Sequence, residues 1–325
     1  MNLSGIPIGL DLSYVLYGLK NENFSKVYAK PRMALNTRFI QLNNVDTFGY
    51  CLGIYPSIQF NLVQKNKWQV GINYGYGVNF NTKSYNHETN FDNRAINSVI
   101  NFAVDLGSKS SFCLNQKSQL TLGTGLYHVS NGNLKMFNGG INIIYGNLGI
   151  AYFPNSIPNN WNSKANYKIE SAAKLGYSIS GFLAYRNLNY FASNKHYWVQ
   201  GISQSLYLPI NKIIYTGIGF DFFIDPTHKL NYTDSLRVSE IKLNERLNFA
   251  LGWYSTVKDG RFFLPFGVYH YVYPLKFIKD PVYIRFGLGY QINKRLYCGL
   301  FFKGTINSKK QLQSDFMEWS WGVRF

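Results

Sequence analysis

The sequence predicts an all-β chain, a transmembrane antiparallel β-barrel of about 14 strands within a range of about 12–16. Three observations carry that expectation. Of the 325 residues 18% are aromatic and only 15% charged, with Tyr (26), Phe (25) and Gly (29) abundant and Met down to 4. Such a mix suits pleated, half-buried strands and excludes coiled coils and disordered tails. Apolar and small or polar residues alternate over segments longer than the usual soluble strand. Connections alternate between tight turns and long polar loops, the habit of outer-membrane barrels. A mean hydropathy of −0.17 and the lack of any apolar run of about 18 residues exclude membrane-spanning helices. They leave open a barrel, whose apolar face is hidden by alternation.

Strand-like segments begin at 6–17, 30–41 and 48–63. The fourth, 67–81, is the clearest: Trp68, Val70, Ile72, Tyr74, Tyr76, Val78 and Phe80 share one face, and Gln69, Gly71, Asn73, Gly75, Gly77 and Asn79 the other. Then follow 95–106, 117–130, 140–153, 170–186, 197–209, 212–224, 245–255 and 260–272. At 281–292 the series Val282, Ile284, Phe286, Leu288, Tyr290 and Ile292 repeats the pattern, and 295–305 and 315–325 complete it. The last segment sets Trp319, Trp321, Val323 and Phe325 on one face. It resembles the terminal aromatic strand read by the barrel-assembly machinery during insertion. Turns at Lys65-Asn66-Lys67, Asn211-Lys212 and Asn293-Lys294 contrast with loops at 81–94, 225–244 and 305–314. A single barrel over 1–325 needs no second closure and is the expected domain organisation. The alternative is two barrels divided near 154–168, a stretch rich in proline and asparagine.

Other bulk properties mostly exclude. Cys51, Cys113 and Cys298 form no CxxC pair, so neither a disulfide framework nor a zinc site is indicated. The net charge of +17 is spread thinly, which argues against a nucleic-acid partner. No secretory signal is visible at the amino terminus. No metal constellation, nucleotide loop or cofactor motif occurs. His87, His196, His228 and His270 read as surface or girdle residues, and Asp221 and Asp225 are too isolated for a calcium loop.

The informative segment is 120–142. Leu120, Leu122, Thr124, Leu126, His128 and Ser130 share the face expected to meet lipid. His-x-Ser sets imidazole and hydroxyl side by side, about 6.5–7 Å apart at the backbone, from where they can lean into the contact a serine nucleophile needs with its base. On the next strand Asn142, Ile144, Leu148 and Ile150 share a face, which brings Asn142 onto the same outer surface. From Leu120 to His128 the strand rises about 26 Å, or about 19 Å along the membrane normal, so the pair lies near one interface. A polar trio on a lipid-facing wall is costly unless it has a task.

The stretch Tyr127-His128-Val129-Ser130-Asn131-Gly132, followed by Gly139-Gly140-Ile141-Asn142, resembles the His-x-Ser-Asn motif of PagL-type lipid A 3-O-deacylases. Lys30-Pro31-Arg32, Gly49 to Pro56 and Asn93 to Asn101 resemble the longer acyloxyacyl hydrolase relatives. The resemblance covers about 5–153. It implies an outer-membrane esterase in the bacterial cell that removes acyl chains from lipid A of lipopolysaccharide, among membrane lipids and without a cofactor. Ser130 would be nucleophile, His128 general base and Asn131 a candidate oxyanion donor. The family's third residue is a Glu twelve positions after the Ser; here Asn142 stands there. An amide can orient the ring but cannot offset the imidazolium charge. The reaction is then slower, or aided by an acid such as Glu88 or Asp92, or lost. The rival class is a non-enzymatic pore or scaffold barrel; a secreted soluble β-protein that binds polyanions comes third.

Overall fold

Wherever apolar and polar residues alternate, the chain extends, because a strand turns successive side chains to opposite sides. The structure is a computed structural model that describes residues 6–16, 32–65, 67–132, 134–135, 139–155, 174–190, 193–210, 214–227, 241–259, 261–273, 280–306 and 312–325. Fifteen strands follow in order: β1 (Ile8–Leu16), β2 (Arg32–Gln41), β3 (Tyr50–Lys65), β4 (Trp68–Asn81), β5 (Ile100–Cys113), β6 (Ser118–Ser130), β7 (Ile141–Tyr152), β8 (Gly176–Tyr190), β9 (Ser193–Pro209), β10 (Ile214–Ile224), β11 (Leu247–Asp259), β12 (Phe262–Tyr273), β13 (Val282–Gln291), β14 (Leu296–Ile306) and β15 (Leu312–Arg324). Each overlaps one of the segments expected from the sequence, and neighbouring strands pair antiparallel. Two four-residue helical turns, Val45–Phe48 and Leu243–Arg246, sit in the connections. No described helix is long and apolar enough to cross a membrane.

The largest offset is at β5, expected at 95–106. Side chains hold the preceding residues out of the ladder: Ile96 N donates to Asn93 Oδ1 at 3.2 Å, and Asn101 Nδ2 donates to Ser98 O at 2.8 Å. Such local bonds compete with strand pairing.

The described strands form two sheets, one in each of two compact units. The cause is closure. Eight strands suffice to make a barrel whose interior side chains fill, and β15 pairs with β8 from Met317↔Tyr185 to Arg324↔Ser178. Most of the 154–168 stretch, and the Lys30-Pro31 pair, lie outside the described residues.

The first unit is a seven-stranded sheet in the order β1 to β7. In β4, Trp68, Ile72, Val78 and Phe80 are exposed on the outer face, while Gln69, Gly71, Gly75 and Asn79 are buried on the inner one. Inside, the Arg38 guanidinium lies 2.7 Å from Asp11 and 2.9 Å from Asp105. Asn73 donates to Asp105 at 2.7 Å, and Asn147 of β7 to Asp11 of β1 at 3.0 Å. Side chains of the two edge strands thus meet across the inside of the sheet.

The second unit is a closed barrel of β8 to β15. Its interior holds buried charges with their partners. Arg285 pairs with Asp221 (3.3 Å) and Glu318 (2.6 Å). Lys303 lies 4.1 Å from the Phe223 ring centre and 4.3 Å from that of Tyr283, and donates to the Tyr271 hydroxyl. In β13, Tyr283, Arg285, Gly287, Gly289 and Gln291 point inward, and Val282, Ile284, Phe286, Leu288 and Tyr290 outward.

An outward leucine near mid-wall tests which side faces lipid. Leu122 is 60% exposed. Leu122→Arg is expected to cost about 2–4 kcal/mol for unfolding from lipid vesicles, where an exposed position on a soluble protein costs within about 0.5 kcal/mol.

Candidate active site

The outer stripe of β6 changes character along its length. Leu120, Leu122 and Leu126 are exposed, His128 is half-buried and Ser130 is 4% exposed. The opposite stripe, Gln119, Thr121, Tyr127 and Val129, is buried inside the sheet. β6 and β7 pair so that His128 stands directly across from Asn142, and β5 sets Phe102 across from Ser130 and Val104 across from His128.

In this register one imidazole bridges two neighbours. His128 Nδ1 lies 2.7 Å from Asn142 Oδ1, and His128 Nε2 lies 3.1 Å from Ser130 Oγ. An amide oxygen only accepts, so Nδ1 carries the proton and the bare Nε2 accepts from the serine hydroxyl. That is the tautomer a general base needs. Asn131 follows at 2% exposure, and Gly132 turns the chain with φ of 64°. Ser130, His128 and Asn142 are thus brought together on one surface, with Asn131 next in the chain.

Below the trio the outer wall is apolar. Leu106, Leu126 and Ile144 make the next row, exposed by 52%, 40% and 86%. To one side the Phe102 ring stacks on Tyr76 at 6.4 Å. This row crosses β5, β6 and β7 on the outer surface, two residues along β6 from His128.

Two features were not assigned a role from the sequence. Gly140 has φ of 70°, and a Cβ there would stand 3.0 Å from His128 Cε1. Gly139 N donates to Arg94 O at 3.2 Å and Gly140 N to Ala95 O at 3.0 Å, so the connection between β4 and β5 holds this turn against the ring. The Gly-Gly doublet just before an alternating segment was the available signal, since glycine is the residue that adopts positive φ without strain.

Neither loop acid reaches the imidazole. Glu88 is exposed and lies 3.4 Å from His87; Asp92 is exposed too, and both ring nitrogens of His128 are already engaged. His270 is exposed on the outer face of β12, and Asp221 and Asp225 pair with Arg285 and Arg186 inside the second barrel. The His196 side chain and all of His228 fall outside the described residues. Cys51, Cys113 and Cys298 are free thiols. Among the described residues no three His, Cys, Asp or Glu side chains converge as metal ligands would.

Sheets that are apolar outside and ionic inside, with His, Ser and Asn joined at one rim, define a class: membrane β-barrels bearing a hydrolase-like cluster on the outer surface. Comparison with known families gives the particular one. Residues 23–151 match the family profile of the lipid A 3-O-deacylase PagL, and residues 175–325 that of the C-terminal domain of acyloxyacyl hydrolase. The chain belongs to the PagL family and is an ester-hydrolysing enzyme of the bacterial outer membrane. The second match also accounts for the half of the chain that the sequence motifs left unexplained. No curated protein matches the chain. Of solved structures, the NanC porin matches over 98% of both chains at 9% identity and a TM-score of 0.21. The Ralstonia pickettii toluene transporter TbuX matches over 98% of this chain and 88% of that one, at 8% and 0.21. Overlap this loose carries no argument about the present chain.

Gly140→Ala places a Cβ against the ring and at a positive φ, at a cost of about 1 kcal/mol in backbone strain. It is expected to part His128 from Ser130, seen as altered nitrogen resonances of the imidazole, while the folded form keeps its heat-modifiable gel mobility.

Proposed function

We propose that this enzyme removes an ester-linked acyl chain from lipid A of lipopolysaccharide, with Ser130 as nucleophile and His128 as general base. The observation that supports it is the single imidazole bridging Ser130 Oγ and Asn142 Oδ1 on the outer wall. Ser130 Oγ attacks the ester carbonyl carbon while its proton passes to His128 Nε2. The carbonyl electrons move onto oxygen, where Asn131 and nearby backbone N–H groups would donate to the oxyanion. Collapse breaks the bond to the sugar oxygen, which takes the proton back from Nε2 and leaves an acyl-serine. A water molecule, deprotonated by the same nitrogen, attacks the acyl carbonyl; the bond to Ser130 Oγ breaks, Oγ takes that proton back, and the fatty acid leaves.

Asn142 serves to keep the ring in its tautomer and plane. Being neutral, it does not offset the positive charge that the ring carries as Ser130 attacks. The apolar row beneath suits the acyl chain, so the ester can reach Ser130 while the tail stays among membrane lipids.

The reading extends to the whole chain as two barrel domains divided near 154–168, with the chemistry in the first. Among the described residues, the outer wall of the second shows no His–Ser pair: His270 stands between Leu251 and Val282. The outward aromatic face of β15, with Trp321 55% exposed, supports delivery by the barrel-assembly machinery.

Release of fatty acid from purified lipid A in detergent tests the assignment. Ser130→Ala should reduce it by about 10³-fold or more with the barrel still folded, and unchanged release would remove Ser130 from the mechanism. Asn142→Asp keeps the shape and adds the missing charge. A charged hydrogen bond exceeds a neutral one by roughly 1.5 kcal/mol, so kcat should rise about tenfold; no rise would show that the amide's charge is not limiting.

A further inference from the structure

The connection between β4 and β5 is built around one buried side chain. Asn93 is 1% exposed. Its Nδ2 donates to Thr47 O at 3.1 Å and to Lys83 O at 3.3 Å, and its Oδ1 accepts from Ile96 N at 3.2 Å. Asn90 adds two parallel ties, to Thr47 O and Ser84 O, both at 2.9 Å. Ile96 is fully buried in the cluster that holds Tyr127 and Val129, the residues flanking His128. The segment 93–96 is therefore anchored from both sides.

That anchoring has a direct reach to the imidazole. Between Asn93 and Ile96 lie the Arg94 and Ala95 carbonyls that accept from Gly139 N and Gly140 N. Gly140 in turn backs the Cε1 edge of His128. Cε1 lies between the two ring nitrogens, so the turn stands beside the edge of the ring that makes both hydrogen bonds. Free of that turn, a half-buried imidazole on a lipid-facing wall regains its other rotamers.

We propose that Asn93 is a positioning residue for hydrolysis: through the Arg94 and Ala95 carbonyls it holds the Gly139–Gly140 turn against His128. It touches neither substrate nor reacting atoms. The inference rests on the Ser130–His128 reading and adds the device that keeps the base aligned. A loss of alignment near 1 Å slows a positioned reaction by up to about 10²-fold without altering how substrate is held.

The test compares Asn93→Ala with Asn86→Ala by lipid A deacylation kinetics and by the rate at which a fluorophosphonate labels Ser130. Asn86 sits in the same connection, where its Oδ1 accepts from Glu88 N at 2.9 Å and Thr89 N at 3.0 Å; among the described residues its side chain bonds neither to 93–96 nor to the Gly139–Gly140 turn. Asn93→Ala should lower kcat and the labelling rate together, by about tenfold or more, with KM for lipid A within about twofold. Asn86→Ala should match the unaltered enzyme in both. Should Asn93→Ala fail to fold, Asn93→Asp is isosteric and keeps the acceptor for Ile96 N while losing the donor to Thr47 and Lys83, and it carries the same expectation. Wild-type kcat in a folded Asn93 variant, a rise in KM alone, or an equal loss in Asn86→Ala would overturn the proposal. Ser130→Ala run in parallel separates the two failures: activity retained there sinks the serine reading itself, whereas activity lost there with unaffected Asn93 variants sinks only the positioning role.

Discussion

A strand that crosses hydrocarbon has no water to which it can turn a backbone N–H or C=O, and each group left bare there costs several kcal/mol. In the second sheet every strand pairs on both sides, and the sheet closes on itself. Once it closes, the pleat assigns alternate residues to lipid and to a narrow interior, and the interior receives all that lipid refuses. Arg38 is met by two carboxylates, and so is Arg285. Lys303 is met by aromatic faces and a tyrosine hydroxyl, a placement that works because ring faces are electronegative. These are ways of keeping a charge inside a wall whose outer side cannot hold one.

The reactive cluster is an exception to the same rule, and its neutrality explains how it is tolerated. His128, Ser130 and Asn142 stand on the outer face, where a charge is expensive. As arranged, the three groups satisfy one another through neutral hydrogen bonds, and Ser130 is nearly covered. A carboxylate in place of Asn142 would stabilise the imidazolium during attack but would have to be kept ionised beside lipid throughout the resting state. The amide reverses that trade. On the proposed mechanism it lowers the cost of the resting cluster and gives up part of the stabilisation at the moment the ring becomes charged.

How much of this the sequence discloses depends on whether a feature is periodic. Alternation located the fifteen strands of the described residues, and in β4, β6 and β13 it assigned each residue to its side, because the pleat has a period of two whatever the sheet does next. It also set His128, Ser130 and Asn142 on one surface. Closure is different in kind. A fourteen-strand wall and an eight-strand barrel present the same alternation, and which strands meet is settled by stagger and by how well the interior fills. The start of β5 was missed for another reason: the bonds of Asn93 and Asn101 to nearby backbone compete with the ladder, and nothing in the period reports them. Gly140 was visible as a residue, but its contact with His128 depends on two loops meeting, which spacing along one strand does not encode.

The position of the cluster along the wall bears on how a lipid substrate is handled. An enzyme that binds an acyl chain in an internal pocket must draw it out of hydrocarbon and lose its burial, about 0.8 kcal/mol for each methylene. Here the inside of the first sheet is occupied by the Arg38 network and its tyrosines, while the apolar row of Leu106, Leu126 and Ile144 lies on the outer face. On the proposed mechanism an acyl chain held against that outer face never leaves the membrane, so the enzyme needs to supply only the alignment of an ester with Ser130. That requirement falls on the rim: on the register between β6 and β7, and on the loop contacts that fix the orientation of His128.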